Sequence, residues 1–104
     1  MDDRQFSLLA NLIDGLDRLY DQKSSVIDTY ALLHATGCAL SGSDLGEDIA
    51  AAADGVLRAV RSGAAEPEKN RAALAATDAL RVKVSEAWGE GYLERYPPSG
   101  RDPK

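Results

Sequence analysis

The sequence predicts an all-α protein, an antiparallel four-helix bundle followed by a short disordered C-terminal tail, on three observations. Its hydrophobic set holds 17 Ala and 13 Leu against five Val and three Ile, a balance that favours helix over sheet. Four segments carry apolar residues at three- and four-residue spacing, and short polar or Gly-containing stretches separate them. At 104 residues, 44% hydrophobic and 28% charged, the chain suffices for one core and is too apolar for the disordered class. One helical domain is expected over residues 1–96 and a flexible tail over residues 97–104.

The first helix is expected from Asp3 to about Gln22, where Phe6, Leu8, Leu9, Leu12, Ile13, Leu16, Leu19 and Tyr20 fill a wide apolar arc. Gly15 lies at the edge of that arc and implies close approach by another helix. Ser25 followed by Asp28 marks the second helix start, which buries Val26, Ile27, Tyr30 and Leu33, runs to about Thr36 and ends on Gly37. Residues 38–43 read as a loop. Asp44 with Glu47 opens the third helix, whose inner stripe is Leu45, Ile49, Ala52, Ala53, Val56 and Val60, closed by Gly63. Pro67 suits the first turn of a fourth helix that continues through Leu74, Thr77, Leu80, Val84 and Trp88 and meets Gly89 and Gly91. Pro97 and Pro98 stop any helix.

Seventeen acids against twelve bases leave a formal charge of −5, all of it arising before residue 64. That acidity argues against direct nucleic-acid binding, which needs a basic face. No apolar run is long enough for a membrane span, and the acidic first residues lack the form of a secretory signal. With Cys38 the single cysteine, the expected home is the reducing cytoplasm. Cys38 is expected as a small buried hydrophobe and His34, the single histidine, as a partly buried structural residue. No cofactor or metal motif is read: residues 41–48 lack the order of a calcium loop, and no paired-Cys or His-Glu-x-x-His set occurs.

Three acidic features remain. Asp3, Asp14, Asp17 and Asp21 project within roughly 60° of one another on the first helix, a column that costs helix stability and brings the fold no gain. It reads either as a solvated face or as a strip that docks a basic partner. Asp44, Glu47 and Asp48 suit the positive end of the third helix, and Asp54 can pair with Arg58. At the C-terminal end Trp88, Tyr92 and Tyr96 share one side of the helix, with Glu86, Glu90 and Glu94 as an acidic ladder beside them. This is either an interface hot spot or the closure of the bundle.

The segment from Leu16 to Asp28 is an apolar helix, a short polar turn with Lys23, and a second helix opening on Ser25-Val26. In this and in its acidic, all-helical character the chain resembles the small immunity proteins that bacteria make against their own toxins. The resemblance implies a non-enzymatic inhibitor that occludes the active site of a basic partner, such as a nuclease toxin, with carboxylates in place of phosphates. The candidate partner-binding residues are Asp14, Asp17, Asp21, Trp88, Glu90, Tyr92, Glu94 and Tyr96. Two alternatives stand beside it: a homo-oligomeric scaffold or regulatory subunit joined through Ala75, Ala79 and Val82, with a homodimer as its simplest form, and a small enzyme holding a divalent metal on Asp14, Asp17 and Asp21.

Overall fold

Asp2 starts the first helix by a capping box: its carboxylate accepts from Gln5 N at 2.7 Å, and the Gln5 side chain accepts from Asp2 N. A computed structural model describes residues 2–96, with α1 at Asp3–Tyr20, α2 at Val26–Ala39, α3 at Asp44–Arg61 and α4 at Glu66–Arg95. The tail expected over residues 97–104 lies outside the described residues.

Helix α1 ends two residues earlier than its periodicity suggests. Lys23 N donates to Arg18 O and Gln22 N to Leu19 O, a Schellman closure with Gln22 at φ 62° where glycine is usual. Ser25 caps α2 through Asp28 N, as the Ser-x-x-Asp pattern predicts. Gly37 does not end α2. It is buried inside the helix against Ile49 and Ala50, and the chain turns at Gly42, φ 92°. A small residue is needed there for packing, a requirement that looks like a stop signal in sequence. Ser43 caps α3 by accepting from Gly46 N, so Asp44 lies in the first turn rather than at the cap. Ser62, in extended conformation, and not Gly63, follows the last turn of α3. Helix α4 runs unbroken through Gly89 and Gly91.

The helices alternate in direction. Asp17 meets Arg81 and Asp3 meets Arg95, so a step down α1 matches an equal step up α4. Asp48 meets Lys83 and Gly55 faces Ala76, giving the same relation between α3 and α4. The core is the row Leu9, Leu12, Leu16 and Leu19 laid against Leu33, Ile49, Val56, Leu80, Val84 and a floor of buried alanines. Small residues let the helices approach: a Cβ on Gly15 would collide with Leu32 of α2, which is the close approach expected at that glycine. Ile27 departs from expectation. It is 60% exposed, and the buried row of α2 runs through Val26, Thr29, Leu33 and Thr36 instead.

Helices α2 and α4 touch across one diagonal while α1 and α3 do not, which flattens the bundle to Cα extents of 59 × 29 × 17 Å. Helix α4, about 45 Å long, overhangs the rest: its last two turns pass the start of α3 by roughly 12 Å and pack on the first turns of α1.

Truncating Leu12 to Ala should cost about 2–5 kcal/mol in urea unfolding, through the cavity it leaves. Three glycine exchanges should divide by sign in the same assay. Gly46→Ala drives a Cβ into the Leu40 carbonyl and should lower stability by about 1–3 kcal/mol. Gly89→Ala meets nothing within 4 Å and should raise it by about 0.5–1 kcal/mol. Gln22→Gly relieves the left-handed closure of α1 and should raise it by a similar amount, about 0.5–1 kcal/mol.

Candidate functional site

The acid column of α1 does serve the fold. Asp17 Oδ1 accepts from Arg81 Nη2 at 2.6 Å, and the Arg81 guanidinium lies 4.9 Å from the Tyr20 ring centroid. One end of the bundle away, Asp3 accepts from Arg95 Nη2 at 2.5 Å, and that guanidinium lies 4.3 Å from the Phe6 ring. Both Arg81 and Arg95 of α4 are thus held between an aspartate and the aromatic residue three positions after it on α1. Both the aspartates and the arginines are two heptads apart, the interval at which antiparallel neighbours meet again on the same side. Asp14 pairs with Arg18 at 3.1 Å within α1. Asp21 is exposed at the C-cap of α1, and no ion pair engages it among the described residues. Of the column, then, three carboxylates already face a guanidinium.

The aromatic residues form a continuous ladder. Phe6 stacks on Trp88 with centroids 5.2 Å apart, Trp88 meets Tyr92 at 5.4 Å, and Tyr92 meets Tyr96 at 4.9 Å. The ladder climbs from the half-buried Trp88 to Tyr96, 61% exposed. Trp88 Nε1 is buried and finds no partner among the described residues, a donor whose desolvation costs about 1–3 kcal/mol.

The glutamates are not beside this ladder. Each lies two positions from an aromatic residue, about 200° round a helix that stays regular to Arg95. Trp88 and Tyr92 therefore turn towards α1, while Glu86, Glu90 and Glu94 fall on the side of Lys83 and α3. Of these Glu86 lies nearest the level of the first turn of α3, which holds Asp44, Glu47 and Asp48, with Asp48 paired to Lys83 at 3.0 Å, and Glu90 and Glu94 continue past it. Alternating helix direction brings the starts of α1 and α3 and the end of α4 to one end of the bundle. That end holds Asp2, Asp3, Asp44, Glu47, Asp48, Glu86, Glu90 and Glu94 against Arg4, Lys83 and Arg95. Acids outnumber bases in that set by five. Chain order hid this, because the acids come from both halves of the sequence.

Two expectations on single residues fail. Cys38 is exposed rather than buried, and so is His34, because both lie on the outer side of α2. Four residues apart on one helix, they meet with Cys38 Sγ 3.8 Å from His34 Nε2, beside a groove of about 310 Å³ that Asp54 also lines. No hydrogen bond joins Asp54 to His34, so the group that would orient the imidazole is not in place. Asp54 and Arg58 form no ion pair either. Among the described residues, no group of three or more His, Cys, Asp or Glu side chains is placed to hold a metal ion, and no helix is long and apolar enough to cross a membrane.

No protein-family model matches the chain, and neither a curated protein nor a solved structure is significantly similar to it.

A double-mutant cycle on Asp17→Ala and Arg81→Ala should give a coupling of about 0.5–1 kcal/mol that shrinks as salt is raised, since both side chains remain partly in water. A coupling indistinguishable from zero would make the contact incidental to the seam.

Proposed function

We propose that the chain is a non-enzymatic protein-binding module of the cytoplasm that neutralises a basic protein, such as a nuclease toxin, by covering its active site with the acid-rich end of the bundle. The observation that carries this reading is the convergence of the charge excess with exposed aromatic residues at that one end. A cationic active site built to hold phosphates accepts carboxylates in their place, and a concentrated field of one sign speeds encounter. Tyr92 and Tyr96 add anchoring area at low entropic cost. Within the site first read from the sequence, the weight moves from Asp14 and Asp17, already facing arginines, to Glu90 with Asp44 and Glu47. The free thiol of Cys38 suits a reducing compartment.

The test is capture from lysate of the source organism at low and moderate salt, with the wild-type chain and with Glu86→Lys combined with Glu90→Lys as baits. A basic protein held by the first, bound at least tenfold more weakly by the second and inactivated at one-to-one stoichiometry is the expected result. A partner that binds both baits alike, or that stays active while bound, would refute the reading. Circular dichroism of the variant checks that the fold survives.

A further inference from the structure

The large exposed apolar side chains of the acid-rich end belong to one element. Tyr92, 43% exposed, and Tyr96 lie in the last turns of α4 and continue the row of rings that begins at Phe6 and Trp88, with the exposed Leu93 next to them. Tyr96 is the C-cap of α4, so the open end of the row is the point at which residues 97–104 join it. Those residues read Pro97-Pro98-Ser99-Gly100-Arg101-Asp102-Pro103-Lys104.

We propose that residues 97–104 of the same chain cover this row of rings. Three observations select that occupant. First, its reach is right. With proline second and glycine fourth, Pro97-Pro98-Ser99-Gly100 has the pattern of a type I turn, which reverses the chain. The residues that remain, 101–104, span about 12 Å when extended, and Trp88 lies roughly 12 Å back along α4 from Tyr96. Pro103 then falls between the levels of Tyr92 and Trp88. Second, its chemistry is what the row lacks. Pyrrolidine rings pack flat on aromatic faces, and an extended backbone leaves its carbonyls free to accept, whereas Trp88 Nε1 is a buried donor with no acceptor among the described residues. Third, Arg101 and Lys104 outweigh Asp102, so the segment is basic where acids outnumber bases. The cover occupies the surface assigned above to a basic protein, which must displace it to bind; that consequence rests on the inhibitor reading, and the docking itself does not.

Proton NMR of the full chain tests it, with a peptide of residues 97–104 as reference. Pro103 side-chain protons held over aromatic rings should resonate well upfield of their positions in the peptide, at every protein concentration. Tyr92→Leu, which keeps apolar bulk without a ring current, should return them towards the peptide positions with helicity by circular dichroism intact. Pro103 resonances at the peptide positions in the wild type, shifts that Tyr92→Leu leaves unchanged, or shifts that vanish on dilution and so place the segment on a second copy would overturn the proposal. Capture of a basic protein by the wild-type bait bears on the inhibitor reading alone, so the two fail separately.

Discussion

The antiparallel seam between α1 and α4 joins residues from opposite ends of the chain, with 92 positions between Asp3 and Arg95. Its centre is apolar, the leucine row of α1 against Leu80 and Val84, and that burial supplies most of its strength. The two Asp–Arg–aromatic clamps lie at its flank. An exposed ion pair alone contributes little, but a guanidinium also stacked on a ring has one geometry, and two such clamps a fixed interval apart admit one register. With the register set, the last turns of α4 must run past α3, and the aromatic ladder has only α1 to rest on. The overhang, the open Tyr92 and Tyr96 rings and the acid-rich end all follow from that one alignment.

The same seam explains why reading charge by helix misled. A column of aspartates on α1 looks gratuitous until α4 brings arginines to it, after which three of its carboxylates are matched. Several of the exposed acids lie instead at helix starts, among them Asp28, Asp44 and Glu47, where the helix dipole favours negative charge. The convergence of acids at one end comes from the alternation of helix direction, a property of the assembled bundle.

Small residues carried a comparable ambiguity. Gly15 and Gly37 are both glycines at helix contacts, yet one was legible as an approach point and the other looked like a terminator. The difference is position relative to a polar turn: Gly15 is surrounded by apolar periodicity, whereas Gly37 precedes a stretch of small residues that fits a loop equally well. Ile27 was placed inside because it is apolar beside Val26. Ile27 lies 100° round the helix from Val26, on the side away from the core, and Thr29, whose hydroxyl donates to Ser25 O, takes the place a hydrophobe was expected to fill.

Taken by itself, the sequence determined the fold class, the number of helices, all four starts within a residue and nearly all the core, because periodicity and capping act over one to three turns and are written in neighbouring residues. It also determined that the chain is acidic and that its C-terminal aromatic residues share a side of their helix. Only the tertiary structure decided which acids are neutralised, which face each glutamate occupies and where the excess charge collects. It decided too that an apolar helix has one side in water. Those outcomes depend on residues far apart in the chain arriving at one level and one face, and no local spacing encodes that meeting.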